Sequence, residues 1–185
     1  MFERYWEIKR ARQRLMHKGY IVCALKIWVS IMLLSGCTEK SSYDTPTITV
    51  TIEPLRYFTE QIAAHRFKVV TMVPQGGSPE TYEPSAQQMA ALAHSSLYIK
   101  VGEIGFERTW TKRLQDNAPH CLFINASEGI EPLSTPHGHA DPHTWMSTKN
   151  ARLMAQNIFK ALCQVNTADS ALFRQNLNTL LATID

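Results

Sequence analysis

Four short apolar runs, spaced about 20 to 30 residues apart with helical periodicity between them, are the feature that most limits what this sequence can fold into. The first, "TITVTI" (47–52), alternates threonine with isoleucine or valine, the period of a strand. "FKVVTMV" (67–73), "LYIKV" (97–101) and "CLFIN" (121–125) are mostly apolar, as strands covered on both faces are. Between them, Pro54 sits at a first helical position, and Leu55, Phe58 and Ile62 keep one helical face to about residue 65. A second helix is predicted from about Ser85 to His94, with Met89, Leu92 and Ala93 inward, and a third by Phe106, Trp110 and Leu114 at spacings of four. Strands that alternate with helices in this way pair in parallel, so the expected class is α/β: a parallel four-stranded sheet flanked by helices.

Past Asn150 the pattern is helical alone. Met154, Ile158, Ala161 and Val165 form a stripe, Thr167 to Ser170 offers a new cap, and Leu177, Leu180, Leu181 and Ile184 carry a second apolar face to the end. Such a face either docks back on the domain or lies ready for a partner.

The formal charge of +3 is unevenly spread. The first 26 residues hold Arg4, Lys9, Arg10, Arg12, Arg14, Lys18 and Lys26 against Glu3 and Glu7, a charge of +5 that leaves about −2 for the rest. A nucleic-acid reading therefore loses its support, because the basic charge lies where export signals keep theirs. The apolar run Ile27–Leu34 that follows is shorter than the roughly 20 residues a spanning helix needs. Basic segment, short apolar run and small-residue exit predict a signal peptide over 1–36, with Met16 as an alternative start. The ending Leu34, Ser35, Gly36, Cys37 resembles a bacterial lipobox, which makes Cys37 the lipidated residue and residues 37–46 a polar tether. Cys121 and Cys163 then remain, either as two free thiols or as one disulfide.

In an open parallel sheet a ligand binds beyond the carboxyl ends of the strands. The loop after the second strand carries Glu80 and Glu83 among Gly76, Gly77, Pro79 and Pro84, and the loop after the fourth leads into His137, His139 and His143. Carboxylate oxygen and imidazole nitrogen both ligate Zn²⁺ or Mn²⁺, and Zn²⁺ takes about four such donors in a tetrahedron. The histidine spacing by itself also describes a solvated polar loop.

"GGSPETYEPSAQQM" (76–89), "LYIKVGEIGFERTW" (97–110) and "GHADPHTWMSTKNARLMAQNIFKAL" (138–162), in this order behind a lipobox, resemble the lipoproteins of the ZnuA and TroA type that serve ABC importers of zinc and manganese. The resemblance implies two α/β lobes joined by a long helix, with a metal in the cleft held by one residue from each of two loops per lobe. On that basis residues 47–149 are the N-terminal metal-binding lobe, and 150–185 are helices leading into the interlobe spine. Glu80 takes the place of one ligand, where many members have histidine, and His143 that of a second. Asp141 and Pro142 shape the turn presenting His143, Trp145 packs beneath it, and Glu83 anchors its own loop. His137 and His139 resemble the histidine-rich loop that gathers metal in some zinc members. The remaining two ligands lie in a second lobe beyond the linking helix, and the sequence stops at Asp185 inside what resembles that helix, so the C-terminal lobe is expected to be absent.

The function so implied is a monomeric, extracytoplasmic, membrane-anchored lipoprotein, not an enzyme. It would deliver zinc, with Mn²⁺ and Fe²⁺ as alternatives, to an ABC permease. Other readings stay open: a remnant without function, a metal-binding adhesin on the same scaffold, or a zinc hydrolase using His137, His139 and His143 with Asp141 or Glu80 as base.

Overall fold

The computed structural model describes residues 45–102, 104–131 and 141–184. The expected signal peptide (1–36), Cys37, most of the expected tether, His137 and His139 lie outside the described residues. The strands are β1 (Thr47–Val50), β2 (Lys68–Thr71), β3 (Ser95–Lys100) and β4 (Leu122–Asn125). All pairings are parallel, in the order β2-β1-β3-β4. The α/β expectation therefore holds.

The helices are α1 (Glu53–Ala63), α2 (Ala86–Ala93), α3 (Gly105–Asn117), α4 (Thr148–Val165) and α5 (Ser170–Thr183). From β1 the chain moves one way to β2, then back across β1 to β3 and on to β4. Right-handed crossovers in opposite directions put α1 on one face of the sheet and α2 and α3 on the other. The local signals explain the elements. A proline opens α1, whose Leu55, Phe58 and Ile62 are buried. Ser85 caps α2 through a capping box in which its hydroxyl accepts from the N–H of Gln88 and the Gln88 side chain returns to the Ser85 N–H.

The core runs along the sheet: Ile48, Val50, Leu97, Tyr98 and Ile99 are almost fully buried, with Leu92, Phe106 and Leu114 over them from the helices. The final apolar face docks back on the domain. Phe173, Leu177 and Leu180 are buried, α5 packs on α1 and α4, and Asn176 donates to the Ile62 carbonyl at 2.9 Å. Among the described residues no helix is long and apolar enough to cross a membrane. Cys121 and Cys163 are free, half-buried thiols, and burial pushes Cys121 up to about 12, which keeps it protonated.

Candidate metal site

In the strand order β2-β1-β3-β4 the direction of winding reverses between β1 and β3, and the crevice beyond their carboxyl ends is where such sheets bind ligands. β3 ends here at Lys100, and the two residues that follow, Val101 and Gly102, are held from inside. Glu107, on the first turn of α3 and 1% exposed, accepts the N–H groups of Val101 at 2.7 Å and Gly102 at 2.6 Å. Its carboxyl also meets the hydroxyl of Thr51, which in turn lies 2.9 Å from the Tyr98 hydroxyl. Burial outweighs these bonds and raises the Glu107 carboxyl above its ordinary range. A buried carboxylate thus fixes the exit of β3.

The loop after β2 leans on this fixed segment. Its backbone turns at Gly77, whose N–H donates to the Pro74 carbonyl. Tyr82 donates to Gln88, which donates to the Met72 carbonyl at 2.6 Å, so the loop is tied to its own origin. Glu83 is exposed and makes no hydrogen bond or ion pair among the described residues; Tyr82 and Gln88 anchor the loop in its stead. The Pro79 carbonyl accepts from the Phe106 N–H, and Glu80 Oε2 accepts from the Gly105 N–H at 2.9 Å. A Cβ at position 105 would collide with the Glu80 carboxylate and stand 2.7 Å from its backbone oxygen, so only glycine permits this approach. Arg108 Nη2 lies 3.5 Å from the same Oε2. No hydrogen bond among the described residues reaches Oε1.

The turn that carries His143 borders the same exit of β3. Asn157 on α4 donates to the carbonyls of Ala126 and Glu128, holding the chain as it leaves β4, and the hydroxyls of Ser127 and Thr144 meet at 2.8 Å. Asp141, Pro142 and Thr144 line a cavity of about 280 Å³ together with Val101 and Gly102. Asp141 Oδ1 accepts from the His143 N–H and faces ring Nδ1, which bears out the expected turn. These bonds from His143 hold the Asp141 carboxyl below its ordinary range. His143 Nε2 takes no hydrogen bond among the described residues, and the ring borders a wider depression of about 520 Å³ with Glu131, Met146 and Asn150. Trp145 packs against the core with its ring 5.3 Å from that of His143.

Glu80 is therefore held at the start of α3, and the turn that carries His143 borders Val101 and Gly102, but no hydrogen bond or ion pair among the described residues joins the two side chains. Among the described residues no group of three or more His, Cys, Asp or Glu side chains stands together as a complete metal site. Glu107, Gly105 and Arg108 were not singled out by sequence reasoning as parts of the site. The spacing of seven between Glu107 and Leu114 puts Glu107 on the buried face of α3 and is the one signal for it.

Comparison with known proteins agrees with this fold. The family model of the zinc-uptake complex component A, periplasmic (ZnuA), matches residues 48–185. A manganese ABC transporter substrate-binding lipoprotein of Streptococcus pneumoniae is 28% identical over 88% of this chain and 56% of its own length. A metal ABC transporter substrate-binding lipoprotein of Streptococcus mutans is 24% identical over 87% of this chain and 56% of its own. The crystal structure of ZnuA superposes with a TM-score of 0.72 and 35% identity, covering 76% of this chain and 55% of that one. The Zn(II)-bound ZnuA-like domain of Streptococcus pneumoniae AdcA superposes at 0.66 with 25% identity, covering 76% and 52%. The chain spans about half the length of the relatives it matches. It belongs to the ZnuA family of periplasmic zinc-uptake components.

Proposed function

We propose that this chain binds a divalent transition metal as the transported substrate of an ABC importer, with Glu80 and His143 among its ligands. One observation carries the reading. Each candidate ligand has one donor atom secured by the protein, Glu80 Oε2 by Gly105 and His143 Nδ1 by Asp141, and the other atom without a hydrogen bond among the described residues. Metal-binding carboxylates and imidazoles are characteristically braced by such outer partners, which orient the ring and fix its tautomer. Nothing in this geometry requires a bond to be made or broken, so both residues act as ligands rather than as acid and base.

A carboxylate in place of histidine keeps the site competent for zinc, manganese or iron. Zinc is the first choice because the family model is that of a zinc-uptake component. Glu80 and His143 make two of the roughly four donors zinc requires, so the chain alone should hold the ion weakly. His137 and His139 would gather metal ahead of the site. Residues 1–36 would direct export, Cys37 would carry lipid, and the lobe of residues 47–149, on its tether of 37–46, would face the periplasm or the cell exterior as a monomer. Residues 150–185 would lead toward the interlobe spine, and the permease would receive the ion.

The test is titration of zinc into the chain and into the Glu80→Ala, His143→Ala double variant. The variant should bind at least tenfold more weakly, about 1.4 kcal/mol or more. Equal affinity would remove both residues from the site.

A further inference from the structure

We propose that Arg108 is a built-in counter-ion of the metal site: it neutralises the Glu80 carboxylate before metal arrives and gives way to the incoming cation, so that it weakens metal binding and favours release. This rests on the reading of Glu80 as a ligand. Two donors converge on Glu80 Oε2, and they differ in kind. The Gly105 N–H, at 2.9 Å, is neutral and fixed in the backbone at the start of α3. It can hold the carboxylate's orientation whether or not a cation is present. The Arg108 guanidinium, at 3.5 Å, carries a full positive charge on a long arm.

Both side chains of that pair are more than half exposed, 57% for Arg108 and 51% for Glu80. An ion pair this exposed is held weakly, so a dication can displace the guanidinium from the carboxylate. A guanidinium has no acceptor and never loses its charge at ordinary pH, so it cannot join a cation's coordination sphere. It can only repel a dication drawn to the same carboxylate, or leave. A ligand loop with Gly105 alone would hold the carboxylate ready and bare. Arg108 adds competition without adding any orientation that Gly105 does not already provide.

The experiment is competition titration of Zn²⁺ against a chromophoric chelator, using the full chain in detergent. It compares wild type, Arg108→Gln, Arg108→Lys, Glu80→Ala and the Glu80→Ala, Arg108→Gln double variant. Arg108→Gln should bind zinc about three- to tenfold more tightly than wild type. Arg108→Lys, which keeps the charge, should stay close to wild type. In the Glu80→Ala background, which should itself bind weakly, Arg108→Gln should change nothing, since the carboxylate through which the two compete is gone.

Equal or weaker binding by Arg108→Gln, with Glu80→Ala still impaired, overturns the counter-ion role and leaves Glu80 a ligand. An equal gain in the Glu80→Ala background overturns the pairing in favour of a general charge effect. Unimpaired binding by Glu80→Ala overturns both readings. Thermal unfolding of each variant, with the Gly105 amide resonance as a local probe, separates these outcomes from loss of fold.

Discussion

A single oxygen of Asp141 holds His143 at two points: Oδ1 accepts the backbone N–H at 2.9 Å and lies 2.8 Å from ring Nδ1. The tautomer that donates from Nδ1 leaves Nε2 as the lone-pair nitrogen, the one able to take a metal. Asparagine can still accept the backbone N–H but brings no charge to the ring, and alanine removes both bonds. Asp141→Asn should therefore weaken zinc binding about tenfold and Asp141→Ala more, within the 10- to 100-fold range for outer partners of metal ligands. Thermal stability should barely move, because the pair is largely exposed. Zinc titration beside a melting curve checks this, and wild-type affinity in both variants would show that the ring needs no brace.

Gly105 supports the other proposed ligand, Glu80, by having no side chain. Gly105→Ala places a methyl group against the Glu80 carboxylate and backbone, so the loop after β2 must move away from α3. The cost in stability should be about 1–3 kcal/mol, as for other overpacked contacts. Zinc affinity should fall by at least as much as in Glu80→Ala, although Glu80 itself is intact. Gly76→Ala gives the contrast. A Cβ there meets nothing within 4 Å, so the strain of its positive φ of 84° should appear in the melting curve and leave metal binding nearly unchanged.

Periodicity was enough to read the sheet and its helices, because strand and helix repeats follow from which faces are covered. The edges were set by contacts no local pattern contains. Thr51 and Ile52 continue the alternation of β1, yet they bend into α1, where the Ile52 carbonyl accepts the first helical N–H groups. Ser95 and Ser96 look like a polar turn after His94, yet β3 begins with them because Ser95 meets the Thr49 hydroxyl at 2.7 Å and Ser96 donates to the Thr47 carbonyl. Glu80 and His143 stand as proposed ligands through the resemblance of their motifs. Arg108 and Glu107 were not legible in this way, since their roles depend on which residue of another element they face.

Glu107 makes the exit of β3 sensitive to pH. Burial raises its carboxyl in the folded state above the unfolded value of about 4.3, so the native protein binds the extra proton between the two values. The stabilisation from this group is fully present below the unfolded value and is lost as pH rises through the folded one. Urea unfolding across that range should show wild type losing stability relative to Glu107→Gln, with the difference levelling off above the folded value. Glu107→Ala should cost about 1–3 kcal/mol at any pH, since it strands the N–H groups of Val101 and Gly102. A wild-type to Glu107→Gln difference independent of pH would mean that the carboxyl does not titrate differently on folding.

The last helix offers a direct measure of whether α5 belongs to this domain. Phe173 is fully buried beside Phe67, with ring centroids 6.3 Å apart, whereas Leu181 is half-buried on the same helix and its carbonyl accepts from Arg152. Removing the buried ring deletes both transfer free energy and packing, and the cavity it leaves lies between α1, α4 and α5. Phe173→Ala should therefore cost about 3–5 kcal/mol in urea unfolding, and Leu181→Ala less than about 1.5 kcal/mol. A single cooperative transition in both variants would show that α5 unfolds with the sheet. If instead Phe173→Ala changed stability by no more than Leu181→Ala, the helix would be a loosely attached end, and its apolar face would be available to a partner.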